Sequence, residues 1–160
     1  MRDVARQLRS VIDRCVGPLL ALDSDTASRP APGKWSKKEI LGHLIDSAGN
    51  NQQKFVRLLT TPSCFDFVGY AQDAWVAAQH YQEADWSQLV ATWEAINRHL
   101  AHVIEHADPA SLSNTLTIAG AGPFRLDFVV RDYVEHTKHH LRAILPDAGL
   151  TSVFENVYGA

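Results

Sequence analysis

The sequence predicts an all-α protein, a four-helix bundle with long connecting loops and at most a minor hairpin. Three observations carry that expectation. Four segments, near residues 4–22, 35–59, 87–106 and 126–145, repeat apolar side chains at three- and four-residue steps, the period of an amphipathic helix. Two long connections, 23–34 and 60–84, lack that period and are punctuated by Pro30, Pro32 and Gly33 and by Pro62 and Gly69. Alternation of strand type is confined to a short run at Thr115-Leu116-Thr117-Ile118. At 160 residues the chain fits one domain, 1–160, long enough to bury about two-thirds of the surface of its unfolded form.

The first helix carries Val4, Leu8, Val11, Ile12, Cys15, Leu19 and Leu22 on one face, and Gly17-Pro18 is a point where it can kink or stop. Pro30, Pro32 and Gly33 make 23–34 an extended crossing loop with no helix of its own. Trp35-Ser36-Lys37-Lys38-Glu39 then starts the second helix, because Ser36 stands at the cap and Glu39 at the capping-box position. Its apolar stripe is Ile40, Leu41, Leu44, Ala48, Phe55 and Leu59, with His43, Ser47, Asn50 and Lys54 on a polar flank. The flank position alone makes His43 a half-exposed polar residue.

The connection 60–84 contains Pro62, Gly69 and a short helical piece, 72–80, together with Phe65, Phe67, Tyr70, Trp75 and Tyr81. A connection of that length and apolar content covers or lines a site. Leu89, Trp93, Ile96, Leu100 and Val103 build the third helix. A hairpin or irregular excursion follows, from Ser111 through the Gly120-Ala121-Gly122-Pro123 turn to Leu126, before the last helix, which Pro146 ends. Beyond it, Val153, Phe154, Val157 and Tyr158 are apolar enough to dock the tail on the body.

Composition excludes several classes. A net charge of −3 leaves no basic face for a phosphate backbone, which argues against nucleic-acid binding. No apolar run approaches the roughly 20 residues that span a bilayer, and no signal-peptide pattern opens the chain, so the expected location is cytoplasmic with no membrane partner. Cys15 and Cys64 are too few for a disulfide framework and read as packing residues of a reducing compartment.

The chemistry concentrates in DYVEHTKHHLRAIL, residues 132–145, where His136 and His140 stand one turn apart on one helix face and can share a metal ion. Eight histidines distributed at random in such a chain give about 0.4 pairs at this spacing, and the chain has two, the other being His102 and His106. Spacing therefore does not choose between His136 with His140 and the trio His99, His102 and His106. Position on the helix favours the former: the trio falls about 100° from its helix's apolar stripe, whereas His136 and His140 border the stripe of Val129, Tyr133, Thr137 and Leu141. His139 turns to solvent. A reading with no metal, in which His136 and His140 are hydrogen-bonded core residues, stays open at this level.

PGKWSKKEILGHLIDS, followed some ninety residues later by DYVEHTKHHLRAI, resembles the DinB-like superfamily of metal-dependent hydrolases and of transferases that use bacillithiol or mycothiol. The matching residues are Trp35, Ser36, Glu39, His43, His136, His139 and His140. The resemblance implies an up-down-down-up bundle, often a homodimer, with His43, His136 and His140 as a three-histidine site. It departs at Arg142-Ala143, where relatives often carry a Gln-Ile-like pair.

Three neutral imidazoles leave open positions on a divalent ion, a catalytic arrangement, and all-nitrogen ligation suits Zn, Ni or Fe(II). The ion would acidify a water for hydrolysis or bind a low-molecular-weight thiol for transfer to a small electrophile. The resemblance puts transfer slightly ahead. Asp132 and Asp46 are candidates to orient the imidazoles from behind, and Ser47 and Asn50 to line the pocket. The alternative function is a non-catalytic, stress-associated bundle that binds a small ligand or a metal.

Overall fold

The computed structural model describes residues 1–61 and 64–158, so Pro62 lies outside the described residues. Helix α1 (Arg2–Leu20) buries Val4, Leu8, Ile12, Cys15 and Leu19 and runs through Pro18 without stopping. Proline near a helix end removes only one ladder bond, which a last turn tolerates.

The connection after α1 does contain a helix, contrary to expectation. Helix α2 (Ser24–Ser28) is nucleated by Asp23, whose carboxylate accepts from the Thr26 N–H and the Thr26 hydroxyl, both at 2.8 Å. Five residues are too few to show a period, so the helix rests on its cap rather than on an apolar stripe.

Helix α3 (Lys37–Thr60) begins as its capping box requires: Ser36 Oγ accepts from the Glu39 N–H at 3.2 Å, and the Glu39 carboxylate accepts from the Ser36 N–H at 2.7 Å. After it come β1 (Phe65–Phe67), α4 (Gln72–Ala78) and a 3-10 turn, Tyr81–Glu83. Helix α5 (Trp86–Glu105) leads through a second 3-10 turn to β2 (Thr115–Ile118), β3 (Ala121–Arg125) and α6 (Leu126–Ile144).

The expected hairpin is β2–β3, antiparallel, and β1 joins it as a parallel third strand, aligning Phe65 with Leu116 and Phe67 with Ile118. A three-residue strand carries too little alternation to be seen in sequence. Its register is fixed partly by Asp66, which accepts from the Thr117 hydroxyl at 2.6 Å and the Gly120 N–H at 3.1 Å.

Contacts between distant residues fix the helix directions. Arg9 pairs with Glu105 and Asp13 with Arg98, so α1 and α5 are antiparallel. The start of α3 meets the segment before α5, where Lys38 donates to the Ala84 carbonyl, and the end of α3 meets the segment after it, where Asn114 donates to the Leu58 carbonyl. Helices α3 and α5 are thus parallel. Lys37 reaches the Ile144 carbonyl, which sets α6 antiparallel to α3. The order is up, down, down, up.

Trp93, Tyr133 and Phe55 fill the centre, with Phe55 and Tyr133 meeting edge to face. The Tyr133 hydroxyl donates to Asn97 Oδ1 at 2.6 Å, and Asn97 donates to the Trp93 carbonyl at 2.8 Å, so these buried polar groups are partnered. Among the described residues no helix is long and apolar enough to cross a membrane.

Two packing expectations change. Cys15 is buried, but Cys64 is exposed, because it sits in the connection just before β1 and not in a helix stripe. In the tail, Phe154 and Tyr158 are partly covered while Val153 stays 82% exposed and Val157 44%.

Gly42 is where α3 touches Tyr81: a Cβ built there would lie 2.2 Å from the Tyr81 ring, whereas at Gly49 it would meet nothing within 4 Å. Gly42→Ala is therefore expected to displace Tyr81 and cost about 1–3 kcal/mol, seen as a lower urea midpoint. Gly49→Ala in the same helix should be neutral or stabilising, by up to about 1 kcal/mol.

Candidate metal centre

Antiparallel packing of α3 on α6 brings the early part of one helix against the late part of the other. His43, two turns into α3, thereby meets His136 and His140, which share one face of α6. One ring nitrogen from each of the three lies within 4.8 Å of the others. His43 Nε2 is 3.3 Å from His136 Nε2, and the His43 and His136 ring centroids stand 4.7 and 4.5 Å from that of His140.

His43 is only 1% exposed, not half-exposed as its flank position suggested. The helix period located the flank correctly, but Trp35, 5.1 Å away ring to ring, and the α6 histidines close over it. Tertiary packing, not amphipathicity, buries this residue.

Burial also sets the protonation state. Desolvation pulls His43 down to about 4 and His140 to about 3, and holds His136 well below the ordinary value, with the neighbouring histidines adding to the effect on His136 and His140. All three are neutral at neutral pH and present lone pairs. Two nitrogens bound to one tetrahedral zinc at about 2.0–2.1 Å stand about 3.3 Å apart, the separation seen between His43 and His136. The donor set fits a divalent ion.

Of the polar residues expected around the ligands, Ser47 comes nearest: its hydroxyl is 3.5 Å from His136 Nδ1, at the limit of hydrogen bonding. Asp46 and Asp132 lie close by but bond elsewhere. Asp46 accepts from the Tyr81 hydroxyl at 2.7 Å and from Gln79 at 2.6 Å; Asp132 accepts from the Tyr158 hydroxyl at 2.6 Å. Helix spacing put both carboxylates near the histidines without showing that tyrosines from the connection and the tail would reach them first. Consistent with this, His43 Nδ1 is buried with no hydrogen-bond partner. Asn50 turns back to the Asp46 carbonyl at 2.9 Å.

A cavity of about 300 Å³ opens beside His136 and His140, lined also by Ser47, Asn51, Lys54 and Asp132. The connection and the tail close it with Tyr70, Phe154 and Tyr158, and Phe154 packs edge-on to His136 at 5.0 Å. Asn51 and Phe154 were not foreseen as lining residues. Asn51 is one residue from the expected Asn50, and the α3 period does not separate them; Phe154 depends on the path of the tail. His139 is exposed on the cavity rim. His99, His102 and His106 are all exposed on α5, as their distance from the apolar stripe suggested.

Fold and site together define a helical bundle that gathers three neutral histidines at the edge of a small polar cavity. The chain belongs to the DinB superfamily, whose family model matches residues 4–144. Its structure is similar to that of YfiT from Bacillus subtilis, described as a probable metal-dependent hydrolase with an unusual four-helix bundle topology. The TM-score is 0.81 at 18% sequence identity, over 90% of this chain and 83% of the other. At that identity the likeness establishes the fold. Comparison with curated proteins gives no match.

Proposed function

We propose that this chain is a single-domain, cytoplasmic, metal-dependent enzyme in which His43, His136 and His140 hold a divalent ion and the adjoining cavity takes a small-molecule substrate. The observation that carries the proposal is the convergence of three neutral ring nitrogens within 4.8 Å, from two helices, beside a cavity of about 300 Å³. A bound ion would supply Lewis acidity, acidifying a water for hydrolysis or a thiol for S-transfer. YfiT's description supports the hydrolytic form, and the superfamily resemblance supports the thiol form.

The protein's own contribution is placement and exclusion of water. Trp35 covers one side of His43, and Phe154 covers His136, so the ligands are held in a partly dry wall. Ser47 is positioned to accept from His136 Nδ1–H, which directs Nε2 toward His43. Homodimerisation belongs to the same proposal.

Cobalt-substituted protein offers the test. Addition of a small thiol should produce a sulfur-to-cobalt charge-transfer band if transfer is the reaction, while a panel of activated esters and amides should turn over only in loaded protein if it is hydrolysis. Full cobalt occupancy with neither response would leave the non-catalytic, ligand-binding reading in its place.

A further inference from the structure

Lys54 is the unusual cation of this structure. It is only 9% exposed, and among the described residues its ammonium donates no hydrogen bond and forms no ion pair. The other buried lysines are provided for: Lys38 donates to the carbonyls of Ala84 and Gln82, and Lys138 pairs with Glu135. The Lys54 ammonium keeps some solvent contact at the cavity it lines, so water meets part of the charge, yet withdrawing a cation this far from bulk water still carries a cost. Phe67 and Tyr158 lie 4.9 and 5.9 Å from the ammonium and offset part of that cost, but ring faces do not replace oxygen acceptors. The Asp132 carboxylate acts on Lys54 through space, yet it lies beyond ion-pair distance and takes its hydrogen bond from Tyr158. Burial lowers the ammonium to about 8 against the pull of Asp132, which leaves it mainly cationic at neutral pH.

Position gives the charge a use. Lys54 follows His43 and Ser47 along one side of α3, and eleven residues of helix separate Lys54 from His43 by about 16 Å along the axis. Its side chain lines the same cavity as His136 and His140. One end of that cavity therefore offers neutral nitrogen ligands and another offers unpaired N–H donors.

We propose that Lys54 binds the carboxylate of a small anionic substrate whose opposite, reactive end lies at the three-histidine centre. The inference rests on the metal-dependent reading and adds a substrate class to it: short molecules with a carboxylate at one end and a metal-binding or hydrolysable group at the other. Specificity then comes from charge at the Lys54 end, while the histidine end accepts any group able to reach the ion.

The test uses a length series, the monohydroxamates of succinate, adipate and suberate, each beside its uncharged terminal amide of equal length, titrated calorimetrically into zinc-supplemented full-length protein and into Lys54→Met, with metal content measured in both and the best-fitting length read for each outcome. The wild type is expected to bind the carboxylate about tenfold tighter than the amide, the scale of one charge-assisted hydrogen bond. Lys54→Met should reduce that preference to about twofold or less, with metal content unchanged and the amide's own affinity kept. A preference absent from the wild type, or surviving in Lys54→Met, overturns the anion site and leaves the metal reading intact. A preference that is present, and lost in Lys54→Met, in protein carrying no metal leaves the anion site standing and removes the metal reading. Methionine matches the stem and buries no charge, so the unfolding midpoint of the variant should not fall; a fall would show Lys54 to be a structural residue and would count against the proposal.

Discussion

Replacing His136 and His140 together by glutamine is expected to take purified protein from about one equivalent of divalent metal to almost none. Two of three ligands disappear, and a lone imidazole at His43 cannot hold an ion against water. Glutamine keeps the volume and can still hydrogen-bond, so helix content should survive, and circular dichroism separates ligand loss from unfolding. The control is His102→Gln/His106→Gln. These two rings also stand close, 4.3 Å between centroids, but both are exposed, on α5 and at its C-cap, and among the described residues no third ligand joins them. The control should retain full metal content. Wild type, variant and control all remaining empty after zinc or nickel is added would end the metal reading, and with it every mechanism in which an ion acidifies water or thiol. Loss from the control with full content in the variant would instead locate the metal at His102 and His106.

The second large effect is on acid stability. In metal-free protein His43 and His140 are held near 4 and 3, against 6.5 for an unperturbed histidine. Between about pH 6.5 and 4 the unfolded chain therefore takes up protons that the folded chain refuses, and stability falls as pH falls. Above about 6.5 neither state binds the proton, so this contribution is fully present and flat. At 1.36 kcal/mol for each unit, His43 alone is worth about 3 kcal/mol across the window, a large share of the margin of many domains, and His136 and His140 act in the same direction. Burial lifts the carboxyls of Asp46 and Asp132, and these act in the opposite sense, offsetting part of the loss. The urea midpoint of chelator-treated protein should drop steeply between about pH 7 and 5, and replacing all three histidines by glutamine should flatten that slope. Bound metal should move the drop to lower pH, since protons must then displace the ion. A midpoint unchanged across this range in metal-free wild type would mean that the three rings are not buried as a neutral cluster.

These expectations rest on a site that was only partly visible in the sequence. Apolar periodicity located α1, α3, α5 and α6, because each buries one continuous stripe and a long stripe repeats enough times to be recognised. The start of α3 was legible to the residue, since Ser36 and Glu39 satisfy orphan backbone groups within one turn. Helix α2 and strand β1 were not legible, being held by single side chains, Asp23 and Asp66, over five and three residues.

For the centre itself, spacing alone paired His136 with His140 but offered His102 with His106 on equal terms. Resemblance added His43, whose place on a polar flank pointed toward solvent. That His43 is instead 1% exposed and beside the other two depends on α6 running antiparallel to α3 and on Trp35 folding over the gap. Lys54 stood on the same polar flank; Phe67 from β1 and Tyr158 from the tail cover it. The sequence by itself determined which residues form helices and which face of each is apolar, because those are local, periodic properties of the chain. Only the tertiary structure decided which polar residues lose their water, because desolvation is imposed by segments far away in sequence, and in this protein it is desolvation that keeps three clustered histidines neutral and, among the described residues, withdraws one lysine from water without giving it an oxygen acceptor.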